Sequence, residues 1–270
     1  HGVFLEDGSE FYNTIRYNLV ALTMRPVQGE EVTPSDNSHD EAQNRTPASF
    51  WITNPNNTFE YNVAAGSEGT GYWFIFPTSV IGLAANLTYY TGRIADEQPL
   101  GSFLGNKAHS NMNGFDLFDR LGSDHSIIKN SGWIEYSDHV FDQNTWYAND
   151  TALYSGVGGQ FQGHPTQNII HRDSIFIDNH HTYMLASSNR IEESIIVADS
   201  GEGLADYPRY FWRLYDGAPS LVDSYLVGWD ASDTNFVESI GASHKRVNWR
   251  HSGVETDHSG VVRMELEDYD

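Results

Sequence analysis

The sequence predicts an all-β repeat fold, a β-solenoid, and three observations carry that reading. The stretch Phe50–Phe76, FWITNPNNTFEYNVAAGSEGTGYWFIF, has no helical period. Thr58–Val63 alternates, Tyr72–Phe76 is a short apolar run, and Asn, Gly or Pro bounds each, which is the pattern of short strands joined by tight turns. Second, Asn13-Thr-Ile-Arg-Tyr-Asn18-Leu-Val-Ala21 is echoed by Asn57-Thr-Phe-Glu-Tyr-Asn62-Val-Ala-Ala65. Third, strand-like units recur: HVFDQN from His139, DSIFIDN from Asp173, ESIIVADS from Glu193, DSYLVGWD from Asp223 and KRVNWRHS from Lys245. Matching apolar centres gives steps of 20 residues (Ile175 to Ile195) and 21 (Leu226 to Val247). Strands recurring at about 20 to 25 residues with polar corners mark a solenoid, in which each coil buries its apolar face only against its neighbours.

Taken in order, Gly2–Thr23 reads as short strands, because Asn, Tyr, Thr and Val favour extended backbone. Residues 24–49 form a long acidic loop bounded by Pro26, Pro34 and Pro47, and long loops in compact domains are often functional. Asn and Gly at the corners are expected to supply left-handed turns, and corner Asn side chains to stack and bond the backbone. LAANLTYYTGRIADE reads as a short helix or a second excursion, and Leu100–Asn111 as a strand closed by Asn. A β-sandwich is the competing architecture, and the lack of Asn-Gly hairpin signals counts against it. Length is compatible with a single domain over residues 1–270. The chain opens on His1 in mid-pattern, as a piece of a longer protein would.

A net charge of −22 disfavours nucleic acid and anionic membranes as partners. Without cysteine there is no disulfide and no thiolate chemistry. Sequons at Asn44, Asn56, Asn86 and Asn149 point to an extracellular surface carrying glycans.

HGVFLEDGSEFYNTIRYNLVALT, Pro34-Ser-Asp36, FWITNPNN, AAGSEGTGYWFIF and PLGSFLGNKAHSN resemble, in order, the parallel β-helix region of the cell-surface hyaluronidase family, which includes hyaluronan-binding and fibrocystin-type proteins. Gln143–Gly159 resembles a later coil more loosely, and the resemblance covers about residues 1 to 200. It implies a right-handed parallel β-helix, an extracellular or cell-surface setting, and hyaluronan binding or depolymerisation by a glycosidase or lyase. Family members carry cysteines after the PSD motif and beside the NPNN coil, which are absent here. Also absent are the G8 domain and the early coils, so upstream catalytic assignments do not transfer.

Cleavage of a polysaccharide needs paired carboxylates, or a base with a cation that neutralises a uronate. On family-matching positions the catalytic candidates are Glu6, Asp7, Glu68 and His109, with Glu6 or Asp7 paired to Glu68 or His109 across coils. Substrate-binding candidates are His1, Asp36, Asn54, Asn57 and Asn111, joined by the basic and aromatic run Lys245, Arg246, Trp249 and Arg250. For each, the structural role competes: Asp-Gly is a common turn, NPNN a corner ladder, and alternating charge an exposed strand. His180-His181 and His164/His171 lack the helical spacing of a metalloprotease, so no transition-metal site is expected. Calcium is the one cofactor with candidate oxygens, at Asp36, Asp40 and Glu41, although the calcium-loop spacing is missing. The expected partner is a polysaccharide. A structural or adhesive module contacting other copies or segments of a larger surface protein is the alternative.

Overall fold

The computed structural model describes residues 1–37, 45–87, 95–128, 133, 137–155, 168–186, 189–201, 209–214, 220–229, 237–239, 250–252 and 255–256. Among the described residues it forms a parallel β-helix of eight coils, each contributing one strand to each of three eight-stranded parallel sheets. Sheet A stacks Val3–Phe4, Ala48–Ile52, Thr70–Phe74, Asn113–Leu117, Thr151–Ser155, His181–Ala186, Tyr210–Leu214 and Val237–Ser239. Sheet B runs from Thr14–Arg16 to Arg250–Ser252, and sheet C from Leu19–Ala21 to Glu255–Thr256. Among the described residues only short 3-10 turns are helical, and no helix is long and apolar enough to cross a membrane.

The internal echo is one coil laid on the next. Thr14 pairs with Thr58, Ile15 with Phe59, Leu19 with Val63 and Ala21 with Ala65. Ile175 lies on Ile195 as the spacing predicts, but the next step in sheet C is 30 residues, to Tyr225, and Leu226 pairs with Thr256 rather than Val247. The coil length varies because only the B-to-C corner has a constant two residues.

That corner explains the polar repeat, though not as the turn chemistry suggests. The left-handed position is taken by Tyr17, Tyr61, Gly105, Gln143, Asp173, Glu193 and Asp223, at φ between 45° and 65°. Its amide continues the sheet, as in Tyr61 N–H to Leu104 O at 2.9 Å and Gln143 N–H to Arg172 O at 2.9 Å. Asn comes one residue later. Its side-chain oxygen accepts the amide of the residue below: Asn62 Oδ1 from Asn18 N (3.1 Å), Asn106 Oδ1 from Asn62 N (3.0 Å) and Asn144 Oδ1 from Asn106 N (2.9 Å). Ser174, Ser194 and Ser224 continue this ladder with their hydroxyls. A buried amide without a partner is costly, so the ladder fixes the corner. A second ladder at the C-to-A corner runs Ser67, Asn111, Asn149, Asn179. Asn149 is therefore buried with its amide group engaged, and is no glycan acceptor. Asn86 is exposed, Asn56 half-buried, and Asn44 lies outside the described residues.

Alternate strand positions point inward. Phe59, Phe103, Phe141, His171, Ile191 and Leu221 stack down sheet B, and Ala64 and Ala108 of sheet C belong to the same buried core. His171 is fully buried among Phe115, Phe141 and Tyr183, which removes it as a metal ligand; His164 lies outside the described residues. Burial pulls the His171 imidazole down to about 3. Below its ordinary value near 6.5 the unfolded chain takes up a proton that the folded core refuses, so this stability is lost as pH falls from about 6.5 towards 3. His171→Leu is expected to flatten the decline, by about 2–3 kcal/mol at pH 4.5, in urea midpoints followed from pH 7 to 4. An unchanged slope refutes it.

Among the described residues, long connections leave the coils at three places. Residues 22–47 depart at a C-to-A corner and residues 75–101 and 118–137 at A-to-B corners. Phe76–Pro77, Arg120–Leu121 and Ile127–Ile128 form a small extra sheet. Ile75, Ile81 and Leu121 bury Trp51 and Trp73 on the outer face of sheet A.

Candidate functional site

One polar assembly sits on the outer face of sheet A and a second at the C-to-A corner. In register order Phe4, Trp51, Trp73, Asp116 and Tyr154 lie on one another across successive coils. Arg45, at the end of the first excursion, reaches Asp116 (Nη1 to Oδ2, 2.6 Å) and Asp119. Its guanidinium stacks over Tyr154 at 4.3 Å and Trp73 at 5.1 Å. All three charged groups are buried. Burial pushes the Asp116 carboxyl up to about 7 against the pull of Arg45, and the Tyr154 phenol up to about 12. Closed in this way, the cluster pins the first and third excursions to the sheet.

The second assembly is open. A cleft of about 590 Å³ at the C-to-A corner is lined by Ser110, Asn111, Ala148, Asn149, Asp150, Asp178, His180 and Arg209. The ladder builds it. Asn149 and Asn179 stack, Thr151 pairs with His181, and this register sets His180 on Asp150. His180 Nδ1 is 3.0 Å from Asp150 Oδ1, and His181 Nδ1 is 3.3 Å from the Asp150 carbonyl oxygen. Tyr210, the next register partner, stacks on His181 at 5.0 Å. Nitrogen and oxygen atoms of Asp150, His180 and His181 all lie within 4.8 Å of one another. Beside the cleft, His109 stacks on Tyr147 at 4.4 Å and meets Ser110 Oγ at 3.2 Å.

Of the residues singled out from sequence, Asn111 lines this cleft and His109 lies beside it. His1 and Asp36 meet elsewhere: the rings of His1 and Trp51 are 4.2 Å apart, and His1 Nε2 is 3.4 Å from Asp36 Oδ1. Asp36 also accepts from Thr33 N and Thr33 Oγ1, which accounts for its place in the PSD turn; Asp40 and Glu41 lie outside the described residues. Glu6 and Asp7 follow the first strand of sheet A in a turn, where Glu10 accepts both of their amides. Glu68 and His109 precede sheet A strands at the opposite corner, so the expected pairing of Glu6 or Asp7 with either is not made: a five-residue strand, about 17 Å long, separates the two corners. Glu68 instead accepts the Arg25 amide at 2.7 Å. Asn54 and Asn57 are buried, donating to Gly8 O and Glu10 O, and Asn57 Oδ1 accepts from Asn13. Their amides hold a corner and leave none for a substrate. Asn111 is likewise a ladder member, although it lines the cleft. Lys245, Arg246 and Trp249 lie outside the described residues, and Arg250 opens the last strand of sheet B.

Sequence reasoning missed Asp150 and set aside His180 and His181 because it tested the histidines for helical spacing. The usable signal was the alignment of Asn149-Asp150-Thr151 under Asn179-His180-His181, a coil repeat of 30 residues that also relates Thr145 to Ile175.

The comparisons with known proteins extend the fold. Residues 1–115 match the family model described as CEMIP beta-helix. Cell migration-inducing and hyaluronan-binding protein of Homo sapiens is 33% identical over 136 residues, covering 44% of this chain and 10% of that protein. Cell surface hyaluronidase of Danio rerio is 35% identical over 134 residues, with the same coverage of 44% and 10%. Fibrocystin-L of Mus musculus is 36% identical over 107 residues, covering 40% of this chain and 2% of that protein. The matched stretch is thus a tenth or less of each of these relatives' own lengths. Through its first 115 residues, the chain is similar to the CEMIP β-helix family.

Proposed function

We propose that the chain is an extracellular β-helix module that binds a polysaccharide of the hyaluronan type in the C-to-A corner cleft. The observation that carries this is the lining. Asn111, Ser110 and Asp150 offer hydrogen-bonding groups, Arg209 offers a cation to a uronate, and the His109–Tyr147 ring pair offers a stacking face beside them. Arg209 shares the lining with Asp150 and Asp178, so it offsets only part of the repulsion between an acidic glycan and a chain of net charge −22. The names of the relatives, hyaluronan-binding protein and cell surface hyaluronidase, support the substrate class. In the metal-free chain, cleavage would fall to Asp150 and His180, a carboxylate and an imidazole in contact, as acid and base.

Retention on immobilised hyaluronan, chondroitin and a neutral glycan tests the reading, with product size followed in parallel. Hyaluronan is expected to be retained, and Arg209→Ala and Tyr147→Ala each to weaken retention about tenfold. Shortened chains that vanish in Asp150→Asn would establish an enzyme. No retention on any glycan overturns the proposal.

A non-catalytic scaffold or adhesive module is the second reading, and one observation favours it. The outward positions Ile175, Ile195 and Tyr225 of sheet C are aligned and 38%, 43% and 36% exposed, an apolar strip suited to another copy or segment. Light scattering showing a dimer that Ile195→Lys dissolves would support it.

A further inference from the structure

We propose that Asp150, His180 and His181 form a binding site for one divalent ion of the zinc class at the wall of the corner cleft. This goes beyond the glycan reading and does not depend on it.

The argument begins with register. Adjacent histidines on a regular strand point to opposite faces. Here Asp178 is left-handed, at φ 55°, and Asn179 is locked into the ladder, so the chain turns through His180 and enters sheet A only at His181. The two rings therefore converge, with centroids 4.0 Å apart. Asp150 comes to them from the preceding coil, carried by the same ladder. Three donors from two coils are thus held by backbone hydrogen bonding rather than by a loop.

The distances fit an ion. Two donors bound about 2.1 Å from one metal stand roughly 3.0–3.4 Å apart. Asp150 Oδ1 and His180 Nδ1 are at 3.0 Å, and all three donor sets fall within 4.8 Å, which a small turn of an imidazole or of the half-exposed Asp150 carboxylate closes.

The tautomer fits as well. A carbonyl oxygen only accepts, so the 3.3 Å contact from His181 Nδ1 to Asp150 O places the proton on Nδ1 and the lone pair on Nε2. A backbone carbonyl that orients an imidazole in this way is the usual support behind a metal-bound histidine. Tyr210 stacked on His181 fixes the ring further. Two imidazoles and one carboxylate suit zinc-class ions, whereas calcium and magnesium take oxygen ligands. The open cleft leaves room for water or a substrate oxygen on the remaining positions.

The test uses the full chain stripped with a chelator and titrated with Co²⁺, followed by visible absorbance, and with Zn²⁺, followed by calorimetry. One equivalent is expected to bind at micromolar concentration or tighter, with His180→Ala and His181→Ala each weakening it about 100-fold and Asp150→Asn about tenfold. His125→Ala, a loop histidine remote from the cluster in sequence, is expected to bind as the parent does. Because His181 is buried, Asp150→Asn serves as the variant whose folding is not at stake. Absence of saturable binding, or binding that survives both His180→Ala and Asp150→Asn, overturns the site. Hyaluronan retention by the metal-free chain is read separately, so failure of the metal site and failure of the glycan reading are distinguished.

Discussion

Arg45→Met is expected to lower the unfolding free energy by about 3–5 kcal/mol, read as a shift in urea midpoint. Its side chain is the counterion for two carboxylates, Asp116 and Asp119, that are both buried. Taking charges out of water costs several kcal/mol each, and a partner recovers that only while it is present. With Arg45 gone, Asp116 and Asp119 face each other without water, and Tyr154 and Trp73 lose the cation stacked on them. Protonation limits the damage, since burial already raises Asp116 to about 7, so the loss should be larger at pH 8 than at pH 6. The triple variant Arg45→Met, Asp116→Leu, Asp119→Leu should regain most of the loss, because a buried ion cluster replaced as a unit by apolar side chains is often neutral. A loss under about 1 kcal/mol for Arg45→Met would mean that water reaches the cluster.

Asn106→Ala should cost about 3–5 kcal/mol without touching the apolar core. Its side chain accepts from the Asn62 amide (3.0 Å) and Asn62 Nδ2 (3.1 Å), and donates to Phe59 O (2.8 Å), all buried. Truncation strands the Asn62 N–H and the Phe59 carbonyl, and each orphaned buried group costs about 1–3 kcal/mol. Asn106→Ser should recover about 1–2 kcal/mol, because the hydroxyls of Ser174 and Ser194 perform the same acceptance further along. Equal midpoints for Ala and Ser would show that the ladder contributes nothing at this rung. Since solenoid coils are stabilised by their neighbours, the loss is expected to propagate into coils on both sides, visible as faster amide exchange in Phe103 and Phe141 than in Leu221.

How far the sequence reads can be judged from particular residues. Asn13–Ala21 and Asn57–Ala65 disclosed one coil stacked in register on the next, because a solenoid repeats the same backbone and each strand position must alternate core and solvent. The prolines and acids of 24–49 marked a break between strands, although Ala48 and Ser49 already belong to the next strand of sheet A. The role of the corner asparagines was half legible. Their recurrence marked the corners, but whether Asn takes the left-handed position or caps it depends on a one-residue offset that composition does not resolve.

Sequence alone determined the fold class, the coil corners and the apolar stripe that fills the helix, since these follow from short-range alternation repeated many times. Only the tertiary structure decided which polar residues meet. Arg45 reaches Asp116 and Asp119 because an excursion folds back over sheet A, and Asp150 reaches His180 because a coil happens to be 30 residues long at that point. Coil length is set by loops of variable size, so contacts along the helix axis join residues whose separation in the chain obeys no fixed period.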